Sequence, residues 1–295
     1  MRFHHHLNFW LNYLGGNYPH NRVTPTKDES KRIEHYCSAN NWKLDKTVAV
    51  NSVDRNIGSG YRYDWYQIFD KNDARECAIQ FGDVTDELDQ PTFTKSRPIK
   101  GVKNNNILLP LDSIRHLTFI CDENTFKSKK NNVVWRGAAY QEHRKFFLQQ
   151  CAEINTCNIA DTSKQSKKGI FGKPKNYLSF QEQLKYKFIF AIEGTDVASN
   201  LKWIMGSNSI PVMPKPKYET WFCESKLIPG EHYIEIADDF SNTEEVMENY
   251  LGKPKLCYEI SEASKEYAAP YKSKNRQFSL AREVAEHYFD SIKTT

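Results

Sequence analysis

The chain has 295 residues, 39% of them apolar and 26% charged, with a formal net charge of +4. This composition excludes disordered and fibrous classes and suits two α/β domains of roughly 100–150 residues each, with a cleft between them. The modest charge points away from a nucleic-acid partner, and no apolar stretch of about 18 residues offers a membrane span.

In chain order, His4-His5-His6 reads as a polar N-terminal segment, since three consecutive histidines cannot all face one metal from a regular element. The N-terminus lacks the apolar core of a signal peptide, so a cytoplasmic protein, at most peripheral at a membrane, is expected. The seven cysteines, Cys37, Cys77, Cys121, Cys151, Cys157, Cys223 and Cys257, are odd in number and form no C-x-x-C pair, which suits reduced thiols packed as small apolar side chains. Tyr61 to Phe69 and Cys77 to Phe81 read as strands on either side of a polar turn at Asp70 to Asp73. Ile107 to Leu111 is a further apolar run, although Pro110 argues against a central strand.

Asn131 to Gly137 predicts a strand, and Phe146, Phe147, Cys151 and Ile154 mark one face of a following helix. The basic run from Ser163 to Lys175 is either a solvated loop or a contact for an anionic surface. A helix ending near Tyr186 precedes "KFIFAIEGTDVASNLKW", Lys187 to Trp203, in which a short apolar run gives way to Val197, Leu201 and Ile204 at helical spacing. A strand at Ile210 to Met213, a helix at Tyr218 to Ser225 and a strand at His232 to Ile236 follow. Strands alternating with helices imply a parallel sheet and a Rossmann-type second half. Gln277 to Ile292, with Leu280, Val284, Ala285 and Tyr288 in phase, predicts a C-terminal helix.

The turn Glu193-Gly194-Thr195-Asp196 is the chemically suggestive place. Gly194 lets the backbone approach a ligand, Thr195 or Asp196 suits an N-cap, and Ser199 and Lys202 fall where a hydroxyl and an ammonium could reach phosphate oxygens. An ordinary strand-to-helix connection reads the same way. Arg136, in Trp135-Arg136-Gly137, should project from the same sheet edge and bind phosphate, or else pair with a carboxylate. Asp83 follows an apolar run and a glycine, as a general base over a cleft would, although acidic turn residues are commonly just solvated. No H-E-x-x-H, zinc-spaced Cys/His cluster or D-x-D pair is present, so no metal or other cofactor is expected.

Taken together, "FGDVT", "KSRPI", "NNNILLPLDSIRH", "VVWRG", "YKFIFAIEGTDVASNLKWIMGSNSIPVM", "YETWFCESKLIPGEHYIEI" and "DDF" resemble glycosyltransferase family 90 from about Ile79 to Phe240. That family includes lipopolysaccharide A proteins and, more distantly, animal protein O-glucosyl- and O-xylosyltransferases. The resemblance implies a GT-B fold, with two Rossmann-like domains facing each other across a cleft. Residues 1–126 would form the acceptor side, 127–274 the donor side, and a helix at about 275–295 would pack back on the first domain.

It also implies metal-independent, inverting transfer of glucose or xylose from a UDP-sugar to a hydroxyl of a glycan or lipopolysaccharide-type acceptor. Asp83 matches the catalytic aspartate, Arg136 the arginine that meets the donor phosphates, and Gly194, Ser199 and Lys202 the donor loop and helix. Gly137, Arg144, Glu193, Thr195 and Asp196 join the donor side, and Arg97, Arg115 and His116 the acceptor side or cleft. The chain departs from the animal pattern at Asn200-Leu201 and at Ala138-Ala139-Tyr140, after which the next basic side chain is Arg144. An inactive nucleotide- or glycan-binding module on the same fold is the alternative.

Overall fold

The computed structural model describes residues 23–38, 42–53, 59–100, 105–163 and 176–292. The three histidines at 4–6 and, apart from Ser163, the basic run lie outside the described residues.

Helix α1 (Lys27–Tyr36) opens on a capping box: Thr26 Oγ1 accepts from Glu29 N, and the Glu29 carboxylate accepts from Thr26 N. Strand β1 (Val48–Ala49) later pairs antiparallel with β2 (Glu76–Cys77), and between them in sequence lies α2 (Ser59–Ile68). Tyr61 to Phe69 is therefore helical where a strand was expected. Its buried residues are Asp64, Trp65, Ile68 and Phe69, a helical stripe that the density of aromatics hides from a reading by strand propensity. Strand β3 (Thr92–Thr94) precedes β4 (Ser96–Pro98) and runs parallel to β5 (Asn106–Leu108); Ile79 bridges in parallel to Phe93 on the other side of β3. β5 ends before Pro110, and the short α3 (Ser113–His116) begins with Ser113 N donating to Asp64 Oδ2 at 2.7 Å.

The second half is built on a five-stranded parallel sheet. Its elements in sequence are β6 (Lys130–Gly137), α4 (Glu142–Cys151), β7 (Cys157–Asp161), α5 (Phe180–Gln183), β8 (Tyr186–Phe190), α6 (Leu201–Met205), β9 (Ile210–Met213), the separate β10 (Tyr218–Thr220) and β11 (Ile234–Glu235). The order across the sheet is β11-β9-β8-β6-β7. Numbered by appearance this is 2-1-3-4-5, so the connections change direction between β6 and β8. A crevice opens there, beyond the carboxyl ends of those two strands.

Side chains alternate across this sheet. Val134, Ile189 and Met213 enter a core shared with the first half, whereas Val133, Trp135, Phe188, Phe190 and Val212 pack with Phe147 of α4, Met247 of α7 (Thr243–Leu251) and Ile260 of α8 (Pro254–Ala268). The strand expected at Asn131 to Gly137 and the one at Ile210 to Met213 are both present. Tyr218 to Ser225 is not a helix: β10 pairs antiparallel with β4, and a 3-10 turn follows at Glu224–Lys226.

Several contacts among the described residues join the halves. The β4–β10 ladder sets Arg97 opposite Glu219, Tyr36 stacks on Trp221 with ring centroids 3.9 Å apart, and helix α9 (Lys274–Asp290) packs on α1 and α2. α9 buries Phe278, Leu280, Val284 and Tyr288. Each such side chain contributes about 1.5–3 kcal/mol when fully buried. Its Arg276 also grips Glu29 (Nε to Oε1, 2.8 Å), which holds that carboxyl down at about 2.

Candidate active site

The switch point between β6 and β8 is organised by Arg144. From α4 its Nε donates to Glu193 O (2.8 Å), Nη1 to Ala138 O (3.0 Å) and Nη2 to Ile192 O (2.8 Å), so one guanidinium ties the loop after β6 to the turn after β8. Burial pulls its pKa down to about 10, with Arg115 acting in the same direction. Gly194 sits directly over it, since a Cβ there would come within 3.4 Å of Arg144 Nη2. Gly137 is needed for a different reason: a Cβ would lie 2.4 Å from Trp135 Cζ2, where the indole folds beneath the strand end. Thr195 is exposed, with Gln141 Nε2 3.4 Å from its hydroxyl.

Glu193 accepts from Lys217 N at 3.0 Å, and burial outweighs such backbone donors to push its carboxyl up to about 7. Glu193 and Gly194 line a cavity of about 260 Å³ that Tyr218 and Phe240 help to close.

A second cluster lies against this turn and spans the two halves. Lys95, between β3 and β4, makes ion pairs with Asp83 Oδ1 and, at 2.8 Å, with Asp196 Oδ2. Lys95 is 1% exposed, and the Asp196 side chain 4%, whereas that of Asp83 is 32% exposed. Burial works against the Lys95 ammonium, but Asp196, Tyr61 and Asp83 outweigh it, and the net shift is upward. Asp83 follows Gly82, whose φ of 103° is left-handed territory that suits glycine.

Asp112 is also close, its carboxyl pushed up by burial against the pull of Arg115 and Lys95; Arg115 Nη1 is 3.1 Å from its Oδ2. His116 is buried with neither ring nitrogen hydrogen-bonded among the described residues. Burial first, then Lys202, Lys95 and Arg115, hold it well below the ordinary imidazole range and therefore neutral.

The geometry thus brings together Asp83, Asp196, Arg115 and His116 on one side, and Gly137, Arg144, Glu193, Gly194 and Thr195 beside them. Three candidates have their charged groups engaged by other partners. Lys202 is wholly buried against Glu224, which also accepts from Thr220 N at 2.7 Å. Arg136 donates to Asn176 O (2.5 Å), Trp135 O (2.8 Å), Asn158 O (2.7 Å) and Asn158 Oδ1 (2.8 Å), so its partners among the described residues are carbonyl oxygens rather than a carboxylate. Arg97 is a strut, with Nε on Glu219 Oε1 (2.7 Å) and Nη2 on His35 O (2.8 Å).

Ser199 is half-buried before α6, and neither Thr195 nor Asp196 caps that helix: Asn200 is its N-cap, and five residues carry little of a helix dipole. Lys95 and Asp112 escape a reading by motif. Their signal is faint, a lysine two residues after Phe93 in Thr92-Phe93-Thr94-Lys95-Ser96 and an aspartate after "ILLPL". Among the described residues no group of three or more His, Cys, Asp or Glu side chains is placed to share a metal ion, and no helix is long and apolar enough to cross a membrane.

An α/β chain with charged groups gathered at a sheet switch point has the form of an enzyme. Comparison with known proteins makes this specific. Residues 111–278 match the family model of Glycosyl transferase family 90. The chain is also 38% identical, over 218 residues, to the O-glucosyltransferase LpsA of Dichelobacter nodosus, which covers 73% of this chain and 67% of that protein. The chain belongs to glycosyl transferase family 90 and is a glycosyltransferase. Asp83 and Lys95 lie ahead of the residues matched by the family model.

Proposed function

We propose that the protein transfers glucose, or the pentose analogue xylose, from a UDP-sugar to a hydroxyl of a glycan or lipopolysaccharide-type acceptor, with inversion and without a metal or other cofactor. The observation that carries this reading is the Asp83–Lys95–Asp196 bridge. It sets a partly exposed carboxylate of the first half against the turn at the switch point of the second. In this reading the arrangement is GT-B: residues 1–126 with the C-terminal helix form the acceptor side, and 127–274 the donor side. The protein works in the cytoplasm, at most peripherally at a membrane, on no nucleic acid.

Asp83 takes the proton of the acceptor hydroxyl as its oxygen attacks the anomeric carbon from the face opposite the diphosphate. The bond from that carbon to the β-phosphate oxygen breaks, its electron pair leaves on UDP, and the proton passes from Asp83 to solvent. Arg115, the most exposed cation of the cluster, faces the leaving diphosphate, and Glu193, Gly194 and Thr195 form the donor turn. Arg144, Arg136 and Lys202 act from inside the walls, as their occupied donors require, and Ser199 supports the turn. Gly137 lets the strand end approach the donor, while Arg97 and His116 shape the cleft from behind.

A panel of UDP-sugars tests this: the true donor raises the melting temperature and is slowly hydrolysed to UDP. Asp83→Asn should abolish transfer while leaving UDP affinity within about threefold, and retained turnover would remove Asp83 from the role of base.

A further inference from the structure

We propose that Lys95 is a positioning residue of the transfer, orienting the Asp83 carboxylate toward the acceptor by holding its Oδ1 while anchored on Asp196 of the donor turn. This rests on the reading of Asp83 as the base.

A cation 1% exposed has no water to solvate it, and leaving such a charge without partners costs several kcal/mol. The partners it has come from opposite halves of the molecule, and they differ in exposure. Asp196 is enclosed and serves as the anchor, whereas Asp83 is partly open to solvent, its Oδ2 receiving no donor from the described residues. The free oxygen is the one left to receive a proton. Lys95 stays protonated throughout the cycle, and only Asp83 changes its protonation state. The other ionisable groups facing the pair are Tyr61 of α2, Asp112 at the start of α3 and His116 within it. Tyr61 and His116 are held neutral there, which leaves Lys95 as the charge in contact with Asp83.

A residue that merely glued the halves together would change stability and nothing else. The separating measurement is the kcat of UDP release from UDP-glucose, read beside UDP affinity and urea stability of the same variants. In Lys95→Met these readouts should separate. Its kcat should fall about 10–100-fold, as misplacement of a reacting group does, with UDP affinity within about threefold. Lys95→Arg, which keeps a cation between the two carboxylates, should recover most of that loss. Asp196→Asn, which weakens the anchor of Lys95, should lower kcat in the same direction.

A kcat in Lys95→Met that stays within about twofold of wild type, while Asp83→Asn is inactive, overturns the proposal. If Lys95→Met does not fold, an unchanged kcat in Asp196→Asn does the same. Turnover that survives Asp83→Asn refutes the base reading instead.

Discussion

Replacing Glu219 by Gln should cost about 3 kcal/mol of stability at neutral pH, and the cost should shrink as the solution is acidified. Glu219 sits on β10 with its side chain 4% exposed, its Oε1 2.7 Å from Arg97 Nε and its Oε2 3.1 Å from His35 Nε2. Burial alone would raise its pKa. His35, Arg97 and Ser225 outweigh burial and bring it from the ordinary 4.5 down to about 2. That difference, at about 1.4 kcal/mol per pH unit, corresponds to about 3 kcal/mol.

Because the folded-state value is depressed, this stability is fully present above about pH 4.5 and is lost as the pH falls toward 2. Linkage leaves about 2 kcal/mol of it at pH 3.5. Urea unfolding of wild type and Glu219→Gln at pH 7 and pH 3.5 measures both quantities. A gap below about 1 kcal/mol at pH 7, or one that does not narrow on acidification, would refute the argument that this buried pair holds β4 to β10.

Further outcomes follow from the same contacts. Arg115→Ala should weaken UDP binding by about 1–3 kcal/mol, the scale of a lost charge-assisted hydrogen bond, while Arg136→Ala should alter stability more than affinity; calorimetry with UDP compares them. Lys202→Met strands the Glu224 carboxylate in the core and should cost about 3–5 kcal/mol in urea titration, much of which the double variant with Glu224→Gln should recover. Gly137→Ala forces a methyl into the Trp135 indole and should lower stability by about 1–3 kcal/mol, seen as a lower melting temperature with Trp135 fluorescence altered.

Part of the second half was legible in the sequence because its central strands carry continuous apolar runs bounded by polar turns, whereas β7, with Asn158 and Asp161 in it, does not announce itself. Phe188 to Ile192 and Ile210 to Met213 announce buried parallel strands without any knowledge of their neighbours. The turn at Gly194 was legible too, since it lies where that run ends. The same logic misplaced Tyr61 to Phe69, whose aromatic content favours a strand while its burial pattern is helical. It also misplaced Tyr218 to Ser225, whose Tyr218, Glu219 and Thr220 become a strand only by pairing with Pro98, Arg97 and Ser96. A ladder between segments over a hundred residues apart leaves no local periodicity to read.

The candidate site divides along the same line. The sequence by itself determined which residue types were available: a carboxylate after a glycine at Asp83, a glycine turn at Gly194, and basic side chains at Arg115, Arg136, Arg144 and Lys202. Only the tertiary structure decided which of those charges stay exposed and which are paired. It buried Lys202 on Glu224, spent Arg136 on carbonyls, left Arg115 exposed, and brought Lys95 between two carboxylates from opposite halves. The physical reason is that a charge acts through its partners and its access to water, and both are set by folding contacts that local spacing does not encode.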